Sequence, residues 1–266
     1  MRAMFGTIAP RYDFFTRVFS YGMDRGWKRS ALKLAQLPER PLVLDLASGT
    51  GDFSLLVATQ YPGARPIAVD LTEGMLRMAR VRGVERAVCG DACQLPFPDA
   101  AFDCVFIGYG LRNFPCLATA VREFERVTRP GGVMISLDFF LPANGVLRRL
   151  FLACLYMQGF LFGLLMHGRP RIYTYIPDSL RSFVSIGDFS QLLGRSGYSR
   201  VNARGFLLGG IGCTGRRRRI SEAGRVGREA ESAPGVRVSV VRRLALLAWF
   251  DYPRSPTRGC RANLSR

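Results

Sequence analysis

Between Leu42 and Phe139, short apolar runs alternate with amphipathic stretches, and no other feature restricts the fold as much. The apolar runs are Leu42–Ala47, Pro66–Asp70, Arg86–Cys89, Phe102–Gly108 and Val133–Phe139. Between them, helical periodicity appears at Asp52–Gln60, Gly74–Arg82 and Leu117–Val127, the last stopped by Pro130-Gly131-Gly132. Strands that are apolar on both faces and alternate with helices predict a mostly parallel sheet with helices on both faces, a Rossmann-like α/β fold. In such sheets ligands bind beyond the carboxyl ends of the strands. Residues 199–207 read as a sixth strand after a helix at residues 186–196.

The chemistry therefore has to sit at five strand ends. The first carries Asp45 and the turn Gly49-Thr50-Gly51-Asp52. Glycines at 49 and 51 let the backbone turn tightly and approach a ligand. Asp70 ends the second strand, where a carboxylate can accept both hydroxyls of a ribose. Asp91 follows the third strand, where a side chain can meet an adenine amino group. Gly108 ends the fourth and leaves room for a ligand. A dinucleotide fingerprint needs a third glycine, but that position is Ser54. Asp45 and Asp52 beside the loop should repel a pyrophosphate and suit a ligand bearing an ammonium and a sulfonium. S-adenosyl-L-methionine meets that description and NAD does not.

Charge and cysteine usage narrow the partners. The chain of 266 residues has a net charge of +18, with 36 Arg and 2 Lys. Residues 214–266 alone carry 13 Arg and four acidic residues. This stretch reads as a disordered, Arg-rich extension. A nucleic-acid arm would interleave aromatics with its basic residues, and here Trp249, Phe250 and Tyr252 cluster at the far end, so nucleic acid is not expected as a partner. Seven cysteines without a CxxC spacing argue for free thiols and a reducing, cytoplasmic compartment. The N-terminus has no secretory apolar region. One histidine, His167, and no Cys/His cluster argue against a metal site. The run Leu150–Met166 is 17 residues long and would reach about 26 Å as a helix, short of a ~30 Å hydrocarbon core. It reads as a buried or interfacial helix. Arg148, Arg149, Arg169 and Arg171 flank it and could face anionic headgroups.

Several stretches resemble the ubiquinone and menaquinone biosynthesis C-methyltransferases, a class I S-adenosylmethionine-dependent family. They are Met4-Phe5, Ile8-Ala9, Tyr12-Asp13, Asp24-Arg25, Trp27-Lys28-Arg29, Val43–Asp52, Leu95–Asp103, Gly110-Leu111-Arg112-Asn113 and Arg126–Gly132. The resemblance implies cofactor contacts from Thr50, Asp70, Asp91, Ala92 and Gly108, a position where the family often has Ser. It also implies C-methylation of a polyprenyl hydroquinone.

Two segments are expected on this reading. Residues 1–213 form the methyltransferase domain, with a helical cap at 1–40 and an apolar substrate lid at 143–185. Residues 214–266 form the tail, which leaves the last antiparallel strand cut short near Thr214. Arg112 is assigned to stabilising a phenolate, directly or through a water, because a guanidinium is too basic to act as a base itself. Asn113 would orient that oxygen. A membrane surface and a second copy of the chain remain open as partners. The alternatives are a methyltransferase for another small molecule or for RNA, and a cofactor-binding protein without catalysis.

Overall fold

The structure is a computed structural model that describes Thr16, Ser20 and residues 22–142, 144–168, 174–206 and 211–219. Most of the expected cap before α1, and the tail beyond Arg219, lie outside the described residues.

The described elements, in order, are α1 (Asp24–Ala35), β1 (Leu42–Leu46), α2 (Asp52–Gln60), β2 (Arg65–Asp70), α3 (Glu73–Val81), β3 (Ala87–Cys89), β4 (Phe102–Gly108), a 3-10 turn (Leu111–Asn113), α4 (Leu117–Val127), β5 (Thr128–Phe139), α5 (Gly145–His167), α6 (Tyr175–Arg181), α7 (Ile186–Arg195), β6 (Tyr198–Phe206) and β7 (Ile211–Arg218). The sheet order is β3-β2-β1-β4-β5-β7-β6. The first five strands are parallel, and β7 runs antiparallel to both β5 and β6. All of β1 and nearly all of β4 are buried, which is why those strands read as continuous apolar runs. The chain order reverses between β1 and β4, so their carboxyl ends diverge and open a crevice.

Two expectations at the C-terminal side are corrected. The expected fifth strand at Val133 begins five residues earlier, at Thr128. Pro130-Gly131-Gly132 forms a bulge within the strand; the pairing with β4 slips between Phe102 and Cys104. A Cβ at Gly132 would lie 2.9 Å from Arg129 O and 3.0 Å from Asp103 O, so only glycine fits there. Asp103 closes the bulge by pairing with Arg129 and accepting Leu42 N at 2.7 Å.

The domain end expected at residue 213 falls inside β7, which continues through Arg218. The final strand therefore runs past Thr214, where it was expected to be cut short. Its arginines find partners that a composition count cannot show. Arg217 Nη1 donates to Gly131 O at 2.7 Å, and Arg218 Nε pairs with Glu125 Oε1 at 2.7 Å. The Ser136 and Thr214 hydroxyls hydrogen-bond at 2.7 Å between β5 and β7.

The expected insertion between the fifth strand and α7 is present as α5 and α6. Asn144 Oδ1 caps α5 by accepting Val146 N and Leu147 N. Leu155 and Phe162 anchor its inner face in the core, and Tyr156 hydrogen-bonds Asp178 of α6. The outer face is bare: Val146, Leu150, Met157, Leu161, Leu164 and Leu165 are all exposed, Leu165 by 76%. Gly145–Leu165 is long and apolar enough to cross a membrane by length and composition.

Candidate functional site

The crevice at the β1/β4 switch holds a cavity of about 280 Å³, near the lower end of the roughly 300–1,000 Å³ typical of ligand pockets. Gly49, Asp70, Asp91, Ala92, Gly108 and Asn113 line it. Six of the expected site residues are thus brought together from four loops. Apolar walls come from Val69, Leu71, Met75, Phe114 and Pro115.

Asp70 organises the rim. Its Oδ2 accepts Gly49 N at 2.9 Å and its Oδ1 accepts Thr72 N at 2.7 Å. Each oxygen keeps a lone pair, so a vicinal diol could bind to both. Burial raises the Asp70 pKa, and the two backbone bonds oppose the rise. Across the cavity, Asp91 turns back on itself, with Oδ1 accepting Cys93 N at 2.8 Å. Two walls are strained. Ala47 after β1 and Tyr109 after β4 have φ of 50° and 58°, and a bulky side chain rarely adopts such values. Both line the cavity, and strain of this kind concentrates at ligand sites.

Four expected residues lie elsewhere. Asp45 is buried beneath the loop. Its Oδ2 accepts both Ser54 N at 2.9 Å and Ser54 Oγ at 2.8 Å, and burial pushes its pKa up to about 7. Thr50 and Gly51 are also buried. Thr50 Oγ1 accepts Arg82 Nη1 at 2.7 Å, and Gly51 packs so closely on Val84 that a Cβ there would lie 2.5 Å from it. Arg112 points behind the cavity wall.

The electrostatic case built on Asp45 and Asp52 fails for a physical reason. Asp52 is clamped by Lys28 Nζ at 2.5 Å and by Arg82 Nη2 at 2.7 Å. Burial would raise its pKa, but the two cations hold it low. Neither carboxylate presents net negative charge to a ligand. The carboxylates that do line the cavity are Asp70 and Asp91. Phosphate is disfavoured by those two groups, and no basic side chain lines the cavity among the described residues.

Gly108 also has a different reason to be glycine. A Cβ there would meet the Phe53 ring at 2.6 Å, and that ring stacks on Phe106 with centroids 5.0 Å apart. The space is filled from the core side.

Behind Asn113 sits a cluster that sequence reasoning missed. Asp138 is fully buried near the end of β5 and accepts Arg112 Nη1 at 2.6 Å, Phe139 N at 2.8 Å and Leu111 N at 2.9 Å. Burial raises its pKa and Arg112 opposes the rise. The guanidinium lies 5.1 Å from the Phe139 ring centroid, and Tyr175 of α6 is an electrostatic neighbour. Arg112 Nε is buried with no hydrogen-bond partner among the described residues. A buried donor left over in this way calls for a water or ligand oxygen. Asp138 was findable by the strand-end rule that singled out Asp70. Lys28 and Arg82 had no local signal, because their partner lies 24 or more residues away in sequence.

The comparisons with known proteins agree with this geometry. The ubiE/COQ5 methyltransferase family matches residues 1–216. A demethylmenaquinone methyltransferase of Deinococcus radiodurans is 38% identical over 221 residues, covering 79% of this chain and 90% of that protein. A ubiquinone/menaquinone biosynthesis C-methyltransferase of Geobacter sulfurreducens is 37% identical, covering 74% and 80%. Among solved structures, a SAM-dependent methyltransferase from Thermotoga maritima superposes with a TM-score of 0.59 at 18% identity, covering 82% of this chain and all of that one, and so shares the fold. Family match, relatives and fold converge: the chain belongs to the ubiE/COQ5 methyltransferase family.

Proposed function

We propose that this protein transfers a methyl group from S-adenosyl-L-methionine to a ring carbon of a polyprenyl hydroquinone; relatives named demethylmenaquinone methyltransferase and ubiquinone/menaquinone biosynthesis C-methyltransferase support the reading. The observation that carries the reading is the cavity at the β1/β4 switch, where Asp70, Asp91, Ala92 and Asn113 converge with no basic side chain among the described lining residues. These residues fit the cofactor. Asp70 would take the ribose diol, and Asp91 with Ala92 would take the adenine edge between Leu71 and Phe114. Gly49 and Gly108 would let the methionine arm pass. When bound, the cofactor supplies an electrophilic methyl group for in-line displacement.

The chain's own part is positioning and charge. A ring carbon becomes nucleophilic when the adjacent phenol is deprotonated. Arg112 has an Nε–H without a partner among the described residues, and it would donate to the phenolate or to a water that takes the proton. Asp138 holds the guanidinium in place. Asn113, on the cavity wall, would orient the same oxygen. The apolar α5–α6 pair would cover a prenyl tail, and Tyr175 would tie that cover to Arg112.

The bare outer stripe of α5, with exposed Arg148 and Arg149 at its start, supports seating on an anionic bilayer surface, where such substrates dissolve. On this reading the protein works at the cytoplasmic face. The test uses labelled cofactor with reduced demethylated naphthoquinone and benzoquinone, the products being resolved by mass. Methyl transfer to either supports the reading; cofactor binding with transfer to neither overturns it. Asp70→Asn should weaken cofactor binding about 10–100-fold, as expected for a lost charged hydrogen bond.

A further inference from the structure

Two cysteines with no part in methyl transfer face each other across one end of the cavity. Cys93 follows Ala92 in the turn after β3, and Cys116 follows Pro115 at the start of α4. Ala92 and Pro115 both line the cavity. Cys93 Sγ donates to the backbone carbonyl of Cys116 at 3.7 Å. The two thiols are also electrostatic neighbours. Among the described residues no group of three or more His, Cys, Asp or Glu could hold a metal ion.

We propose that Cys93 and Cys116 are an oxidation site for hydroperoxides, and that their disulfide straps shut the adenine end of the methyl-donor cavity. The proposal rests on the cofactor reading above.

The surroundings divide the labour between the two thiols. Cys116 is exposed at the N-cap position of an eleven-residue helix, where its side chain makes no capping bond; a helix N-terminus lowers a thiol pKa. Thr119 Oγ1 donates to its sulfur at 3.1 Å, Arg122 Nη2 donates to that same hydroxyl at 3.0 Å, and the thiol pKa is lowered. Cys93 is half-buried beside Asp91, and burial and the carboxylate raise its pKa. An exposed thiol of lowered pKa beside a resolving thiol is the usual arrangement of a redox-sensing pair.

The Cys116 thiolate attacks the hydroperoxide. An S–O bond forms, the O–O bond breaks, and the alcohol or water leaves with a proton. Cys93 then attacks the sulfenic sulfur. The S–S bond forms, the S–O bond breaks, and water leaves with the Cys93 proton. Two thiols lose two electrons and the hydroperoxide gains them. The bond would tie the Asp91–Gln94 turn, closed by its own bridge, to the Phe114–Pro115 segment on the facing wall. On the cofactor reading the adenine end of the cavity lies between these two segments, both of which line it.

The experiment treats the full chain with a small excess of hydrogen peroxide, then maps tryptic peptides and measures S-adenosylmethionine affinity by calorimetry. The expected result is a cross-link between peptides 87–112 and 113–122, assigned to Cys93 by fragment spectra. It should be absent from Cys93→Ser and Cys116→Ser and kept in Cys89→Ser. Donor affinity should fall at least tenfold on oxidation and return with dithiothreitol, while Cys93→Ser keeps its affinity after peroxide. Oxidation that leaves these two cysteines unlinked overturns the proposal, and so does a linked protein with unchanged affinity. Reduced wild type that fails to bind the donor sinks the cofactor reading and the strap with it; the cross-link is still read independently by mass.

Discussion

Arg112 Nη1 lies 2.6 Å from Asp138 Oδ1, and both side chains are buried. Desolvation of two charges is offset only while both remain. Arg112→Ala therefore has two effects that must be separated. Breaking the pair should cost about 3–5 kcal/mol of stability. Turnover should fall about 100-fold or more, with donor affinity changed less than about threefold because Arg112 is not in the donor cavity. The double variant Arg112→Met, Asp138→Asn removes both charges. Chemical denaturation should show its stability largely recovered while turnover stays low. Near-normal turnover in either variant takes Arg112 out of the mechanism.

Lys28 holds the cap helix to the glycine loop. Its Nζ bonds Asp24 Oδ2 at 3.0 Å and Asp52 Oδ2 at 2.5 Å. Lys28→Met should destabilise the fold by about 1–3 kcal/mol, because Asp52 keeps Arg82 but Asp24 loses its cation. A loss below about 0.5 kcal/mol in denaturant melts would mean that Trp27, Ala31 and Leu32 alone dock the helix.

Asp45 gives a pH signature. Its pKa in the folded protein is about 7 against a usual 3.8. The folded state then binds more protons than the unfolded chain between these values, so the stabilisation is complete below pH 4 and is lost as pH rises through 7. Relative to Asp45→Asn, wild type should lose up to about 1.4 kcal/mol per pH unit across that window. Melts of both proteins at pH 5, 6, 7 and 8 test this; parallel profiles would show that Asp45 is already ionised.

Gly108 and Phe53 are coupled by space. Gly108→Ser should cost about 1–3 kcal/mol from overpacking against the ring. Combined with Phe53→Leu it should show a favourable coupling of about 1 kcal/mol or more in a double-mutant cycle. Additive effects would mean that the Phe53 ring yields freely.

The β/α order and the strand ends were readable because parallel strands are buried on both faces and announce themselves as apolar runs. Asp70, Asp91 and Gly108 followed from that alone. Asp45 misled because a strand-end carboxylate looks the same whether it faces a ligand or Ser54. Thr50 and Arg112 turned away for the same reason: side-chain direction after a tight turn depends on partners such as Arg82 and Asp138, which pattern reading does not connect. The strand through Arg218 stayed hidden because its arginines read as a solvated tail, while their carbonyl and carboxylate partners are supplied by the β5 bulge and α4.

The placement of β7 between β5 and β6 sets an order of assembly during synthesis. β6 leaves the ribosome first yet has no neighbour in the sheet until β7 follows it. Until Arg218 has emerged, the open side of β5 offers unsatisfied backbone groups to any extended segment nearby. A nascent chain stalled in this window is the form a holdase should recognise, and premature stops just before Ile211 should be cleared far faster than stops after Arg219.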